Sequence, residues 1–260
     1  MLLSHTAPNR WETGVAAVGK RRRCRRLEGM LRKKGKSREA LARLPSQQIC
    51  GPEDYRKIAN EVSNKILMYV RDTSGWKELK RDKNVTVSAK PSNDFAGLIY
   101  RVEAVLDIPA AKVFPLVYVP EYRCKWDKGL QSYQLIDTID KDTFIVHSIT
   151  HSYGMGMISP RDFVVIVHIK RYGGEFLTTN SCSVYHPNYP PTSRYVRGNS
   201  FPCGYACYPM PGNPNQCMFM AILQVDLGGV LRPSLVDSVM PVSLINLITD
   251  IKTGIKTLKL

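Results

Sequence analysis

The chain has 260 residues, 43% of them hydrophobic, which suits one large domain, or a domain plus a tail, with a sizeable core. Its net charge of +15 is uneven: residues 1–50 hold 13 Lys/Arg against 3 acids, and the remainder holds 24 against 19. Basicity thus belongs mainly to the N-terminal segment, so nucleic-acid binding by the folded part is not expected. No apolar run reaches the roughly 18 residues of a membrane span, and a soluble or at most peripheral chain is expected.

Seven cysteines, an odd number at irregular spacing, suit a reduced intracellular compartment. Cys203 and Cys207 lie four apart with no second close pair. No metal site is expected from them.

Residues 1–52 carry Lys20-Arg21-Arg22-Arg23-Cys24-Arg25-Arg26 and Arg32-Lys33-Lys34. A basic, disordered tail is expected, with a nuclear import signal or a mitochondrial presequence left open. Glu12, Glu28 and Glu39 weigh against the presequence. The folded part is expected over 53–260.

Pro52-Glu53-Asp54 marks a helix start with acids in its first turn. Ile58, Val62 and Ile66 follow at helical spacing, and the helix should end before Asp72-Thr73-Ser74-Gly75. Strands are expected at 76–79, 85–89 and 98–106. A short second helix opens at Pro109, with Val113, Phe114 and Val117 on its face; Pro115 and Pro120 limit it. Residues 121–128 read as a connecting stretch. Strands return at 131–138, 144–153, 163–172, 176–184, 195–200 and 218–227, with loops at 185–194 and 209–215.

The strand at 163–172 is the most informative. Pro160 has no N–H and fixes its own φ, so the strand begins after it. One face reads Phe163, Val165, Val167, Ile169; the other reads Val164, Ile166, His168, Lys170 and turns polar. With a strand on either side, this is an antiparallel meander whose apolar face needs a cover. Residues 233–259 supply one. Val236, Met240, Leu244, Leu247, Ile248, Ile251, Ile255 and Leu258 form a stripe down the longest helix, and Pro241 should kink it. Sheet and helix must bury each other, giving an α+β fold.

No catalytic set emerges from His5, His147, His151, His168 and His186. His147 and His151 are four apart, but on a strand and without the intervening Glu of a zinc-protease helix. No phosphate loop, nucleophile elbow or paired-acid motif stands out. Neither an enzyme nor a cofactor is expected.

Several stretches, all in order, resemble the START domain, a lipid-transfer module. They are Arg71-Asp72-Thr73-Ser74-Gly75-Trp76, Tyr100-Arg101-Val102-Glu103, Lys125-Trp126-Asp127, Ile158-Ser159-Pro160-Arg161-Asp162-Phe163, Lys170-Arg171-Tyr172, Val196-Arg197-Gly198, Pro202-Cys203-Gly204 and Asn213-Pro214. The resemblance covers about residues 53–260. It implies a helix-grip fold, in which about nine antiparallel strands curl around the C-terminal helix and enclose one lipid in a tunnel. It also implies a monomeric, cytoplasmic carrier of a sterol or related lipid that touches membranes transiently. The Asp72 to Trp76 stretch and the Pro-Cys-Gly-x-x-Cys-x-Pro pattern from Pro202 to Pro209 are similar to the small subgroup associated with sterols and bile acids. A non-transferring binder or sensor of a bile acid or other small amphipathic ligand is therefore the alternative. The acid and arginine that the family pattern places on neighbouring pocket strands fall here on Ser148 and Val167, and Ser200-Phe201 stands where the subgroup has Asn-His.

A carrier needs an apolar tunnel, a polar group at its end and a gate. Strand alternation turns Val146, Ser148 and Thr150 inward beside Val165 and Val167, and the last helix adds Met240, Leu244, Leu247 and Ile251. These are the candidate lipid-binding residues. Ser148 and Thr150 are expected to hydrogen-bond a ligand hydroxyl. The candidate gate is Ser152-Tyr153-Gly154-Met155-Gly156-Met157, where glycines give freedom and Met155 and Met157 a soft apolar surface, with Pro241 as hinge. Lys252, Lys256 and Lys259 are expected to touch anionic membranes.

Overall fold

The computed structural model describes residues 50–173 and 176–258; the basic segment 1–49 and Lys259 lie outside the described residues. Helix α1 (Pro52–Arg71) starts where expected. Pro52 needs no N–H partner there, and the Asp54 carboxylate accepts the Gly51 N–H at 3.0 Å. Strands β1 (Lys77–Asp82), β2 (Val85–Pro91) and β3 (Leu98–Leu106) follow, then helices α2 (Ala110–Tyr118) and α3 (Pro120–Trp126). Next come β4 (Leu130–Asp140), β5 (Thr143–Thr150), β6 (Arg161–Arg171), β7 (Leu177–Ser183), the two-residue β8 (Val196–Arg197) and β9 (Asn199–Ser200), β10 (Cys203–Met210), β11 (Asn213–Leu223) and β12 (Val225–Asp226). The last element is α4 (Pro233–Thr257).

Nine strands form one path in the order β1-β2-β3-β11-β10-β7-β6-β5-β4, all neighbours antiparallel. β8 adds in parallel to β6, and β9 pairs with β12. This is the expected α+β, helix-grip arrangement.

The two faces of β6 explain its sequence. Val164 and Ile166 pack with Ile145 under Tyr55 and Ala59 of α1. Helix α1 covers only that part of the outer face, so His168 and Lys170 beyond it are polar. On the inner side Phe163 and Val165 cluster with Leu235, Val236 and Val239 of α4, and Ile169 joins Leu244, Ile245, Ile248, Ile251, Val87, Val102, Phe219 and Trp126 in the largest core cluster. By length and composition α4 would suffice to cross a membrane, but its Leu244, Ile245, Ile248 and Ile251 are buried against the sheet.

Two expectations are corrected. Residues 121–128 are largely helix, since Pro120 sits at the first helical position and starts α3. Strand β10 and the start of β11 occupy much of the expected loop 209–215, leaving a turn at Pro211-Gly212 with Gly212 at φ +76°. Pro209 is tolerated because the register shifts beside it.

Helix α4 approaches α3 closely at Gly254. A Cβ there would stand 2.5 Å from Trp126 Cβ, and the Trp126 indole N–H is held by the Leu116 carbonyl at 2.8 Å. Gly254→Ala is expected to cost about 1–3 kcal/mol through overpacking. The measurement is the urea midpoint, which should fall with an unchanged m-value; an unmoved midpoint would mean that α4 can back away freely.

Candidate functional site

Between the inner face of the sheet, α3 and α4 lies a cavity of about 500 Å³. Its apolar wall includes Leu130, Ile158, Phe163, Val165, Ile222, Leu227, Met240, Leu244 and Leu247. This volume falls in the ordinary range for small-molecule sites. Ser148, Thr150, Val165, Met240, Leu244 and Leu247, all expected from the sequence, meet on this wall.

Other expected residues stand elsewhere. Val146, Val167 and Ile251 are buried in packed core rather than on the cavity wall. The inner face beyond Val146 is occupied, because the Phe144 ring meets Tyr118 of α2 with centroids 6.4 Å apart. Ile251 joins the cluster around Trp126 and Leu116. Pro241 is buried and off the wall, and α4 continues through it.

The loop at 153–158 closes on itself through reciprocal Tyr153–Ile158 backbone bonds of 2.9 and 3.1 Å. Gly154, Met155 and Gly156 are all at positive φ, a conformation that is strained for the methionine. A Cβ on Gly154 would reach within 3.0 Å of Val239 on α4, so glycine permits that approach. Met155 and Met157 are exposed at the tip, while Tyr153 and Ile158 at the base line the cavity.

The two expected hydroxyls differ. Thr150 Oγ1 accepts the Arg161 backbone N–H at 3.0 Å. Ser148 is buried opposite Phe163, lines the cavity and has no side-chain hydrogen bond among the described residues. Its hydroxyl is therefore available to whatever fills the space.

No ion pair joins Ser148 and Val167, but another reaches the wall. Arg123 and Asp127, four apart across α3, pair at 2.6 Å (Nη2 to Oδ2), and Arg123 Nε donates to the same carboxylate at 2.8 Å. Nη1 donates to the Val117 carbonyl at 2.9 Å and Nη2 to the Tyr205 hydroxyl at 3.0 Å. The guanidinium also lies over the rings of Trp126 and Tyr205. Burial disfavours its charge, but Tyr205 and Asp127 outweigh that and hold it protonated. Reading 121–128 as a connector hid this pair. The signal was present: a helix-starting proline, then Arg and Asp four apart.

Two further charged groups on the wall, Asp250 and the largely exposed Lys128, pair at 3.8 Å. Burial raises the Asp250 pKa, with Lys128 opposing. Burial also pushes the Tyr153 hydroxyl up to about 12, so it is neutral near pH 7. Each formal charge on the wall thus has an opposite partner. Among the described residues no group of three or more His, Cys, Asp or Glu could hold a metal ion.

A family model for the START domain matches residues 58–259. The chain belongs to the START family. Human StAR-related lipid transfer protein 6 is 45% identical over 203 residues, covering 78% of this chain and 92% of that protein. Human StAR-related lipid transfer protein 5 is 35% identical over 202 residues, 77% of this chain and 95% of that protein. Its solved structure superposes with a TM-score of 0.77 at 32% identity, covering 81% of this START chain and 100% of that one.

Breaking the buried pair from one side should be worse than removing it whole. Asp127→Leu strands a buried guanidinium and is expected to cost about 3–5 kcal/mol, whereas the Arg123→Met, Asp127→Leu double variant recovers much of that loss. Urea unfolding of the two single variants and the double closes the cycle. Additive losses would mean that the two charges act independently.

Proposed function

We propose that this START protein carries one neutral, hydroxyl-bearing lipid, a sterol or a close relative, and transfers it between membranes. The observation that carries the reading is the unpartnered Ser148 hydroxyl inside an apolar cavity whose charges are already paired. The names of the relatives, StAR-related lipid transfer proteins, support lipid binding and transfer. Burying a sterol-sized apolar surface supplies on the order of 10 kcal/mol before losses. One hydroxyl contributes only about 1 kcal/mol net. Shape and apolar lining therefore set affinity, and Ser148 sets orientation. Thr150 is a weaker candidate because the Arg161 N–H already uses one of its lone pairs.

The exposed Met155 and Met157 fit a gate that meets the membrane, and the close approach of Gly154 to Val239 fits a gate that closes on α4. Lys252 and Lys256 near the end of α4 suit an anionic surface. A monomeric cytoplasmic carrier without enzymatic activity is the simplest form of this reading. A bile-acid sensor is less favoured, since a carboxylate would meet no uncompensated cation on the wall.

Native mass spectrometry of protein purified from eukaryotic cells, with and without added cholesterol, tests the ligand. A single bound sterol mass is expected. Preferential capture of a bile acid would overturn the ligand class, and binding without movement between vesicles would overturn transfer. Ser148→Ala is expected to weaken sterol binding about fivefold, the worth of one net hydrogen bond, without shifting the unfolding midpoint of the ligand-free protein.

A further inference from the structure

Arg161 opens β6 and is only 3% exposed. A buried guanidinium ordinarily has a carboxylate partner, yet Arg161 has none among the described residues. Its Nε donates to the Leu227 carbonyl at 2.8 Å, its Nη1 to the carbonyl and hydroxyl of Ser159, and its Nη2 to the Gly228 carbonyl at 3.4 Å. The neighbouring carboxylate, Asp162, is taken by Arg197 and His147. Burial without a counter-charge lowers the Arg161 pKa.

These neutral acceptors belong to two separate segments. Ser159 follows the 153–158 loop, and Leu227 and Gly228 precede α4. One side chain therefore ties the loop to the approach of α4, beside Ile158 and Leu227 of the cavity wall. Its cover is thin: Gly229 is exposed, and a Cβ there would stand 3.6 Å from Nη2. Gly228 and Gly229 are both at positive φ. Exposed Met155, Met157 and Val230 lie on the two tied segments. Arg232 caps the start of α4, exposed and in no ion pair among the described residues, and the first turn of α4 carries no acid. Asp226 is the acid of this segment, and its carboxylate accepts the Gly228 N–H at 2.9 Å.

We propose that Arg161 is a latch read by an acidic phospholipid headgroup. At a membrane surface a phosphate or carboxylate oxygen takes the guanidinium from the Leu227 and Gly228 carbonyls, and the loop parts from the segment before α4. Hydrogen bonds to an ionised acceptor are roughly twice as strong as those to a neutral one, so the headgroup wins the exchange. Away from a surface, the carbonyls of Leu227, Gly228 and Ser159 keep the latch closed. Met155, Met157 and Val230 supply an apolar rim that brings the latch to headgroup depth. The inference rests on the carrier reading, in which this loop is the gate.

The test reads opening directly, without a bound ligand. Spin labels are placed through Met155→Cys and Val230→Cys in the full chain, with Cys24, Cys50 and Cys124 replaced by serine, and their separation is measured by pulsed electron resonance. On vesicles of phosphatidylcholine plus phosphatidylserine the separation is expected to grow by about 5 Å, roughly one helical turn of travel, but not on phosphatidylcholine alone. Arg161→Lys keeps the charge but lacks the fork that spans both segments, so it should stand open on either vesicle. Ser159→Ala, which removes one acceptor, serves as the milder variant if the lysine variant does not fold. Arg232→Gln should bind acidic vesicles less while opening to the same extent once bound.

An unchanged wild-type separation on acidic vesicles, or a full wild-type response in Arg161→Lys and Ser159→Ala, overturns the latch. Equal opening by inorganic phosphate without vesicles overturns the membrane source. Sterol transfer is measured on the same preparations. Opening without transfer supports the latch while the carrier reading fails, and transfer without opening sinks the latch alone.

Discussion

The structure depends on a mismatch of widths. A helix with its side chains is about 10 Å across, and neighbouring strands stand about 4.8 Å apart, so one helix covers two or three strands. The sheet has nine strands on its path. Helix α4 packs against β1, β2 and β3, and α2 against β7, β10 and β11. The inner face around Ser148 and Phe163 lies beyond those contacts, where Phe163 and Val165 share a cluster with Leu235, Val236 and Val239 near the start of α4, and the cavity lies there. The space is thus a consequence of curling a wide sheet around one helix, not of unusual residues along its wall.

The mismatch also decides where polar groups are affordable. Outside, α1 covers Val164 and Ile166 of β6 and, further along, Ile99, Ala206, Met220 and Ile222. Inside, each polar group must find a partner or face the cavity. Arg123 and Asp127 solve the problem within one turn of α3, helped by Val117 and Tyr205. With the charges paired, Ser148 is left as a buried wall hydroxyl with no side-chain hydrogen bond among the described residues. An ion pair spanning the middle would ask a ligand to compete with two charges, whereas a lone hydroxyl asks only for one complementary donor or acceptor.

Much of this was legible from periodicity. The two-residue alternation of β6 assigned both faces, and the three-to-four step of α4 selected Leu244, Ile248 and Ile251. Register alone placed Ser148 and Val165 on the same inner wall. The failures have a common physical origin. Val146 and Val167 share a face with Ser148 but are buried off the cavity wall, next to Phe144 whose ring meets Tyr118 of α2, and no local pattern announces where a distant helix lies. Ile245 sits beside the expected stripe and is buried because the curved sheet wraps further around α4 than a flat contact would. Helix α3 and strand β10 are short and bounded by prolines, so the residues that start or bend them read as breaks. Arg161 stood within a recognised motif, yet only the fold shows that Ser159, Leu227 and Gly228 converge on it.

A carrier must close in water and open at a surface, which limits how strong its closure can be. A buried Arg–carboxylate latch would resist opening by the several kcal/mol that breaking such a pair costs. Hydrogen bonds to neutral carbonyls are worth about 1 kcal/mol each net, more with a charged donor. Arg161 makes several of them across two segments, a strength that suits the proposed exchange for one anion. In the proposed gate Met155 fits the same logic, since a non-glycine residue held at positive φ favours release once its contacts go. In the proposed latch, closure rests on marginal interactions at the loop, while the charge-to-charge pair Arg123–Asp127 lies on α3, outside the two tied segments.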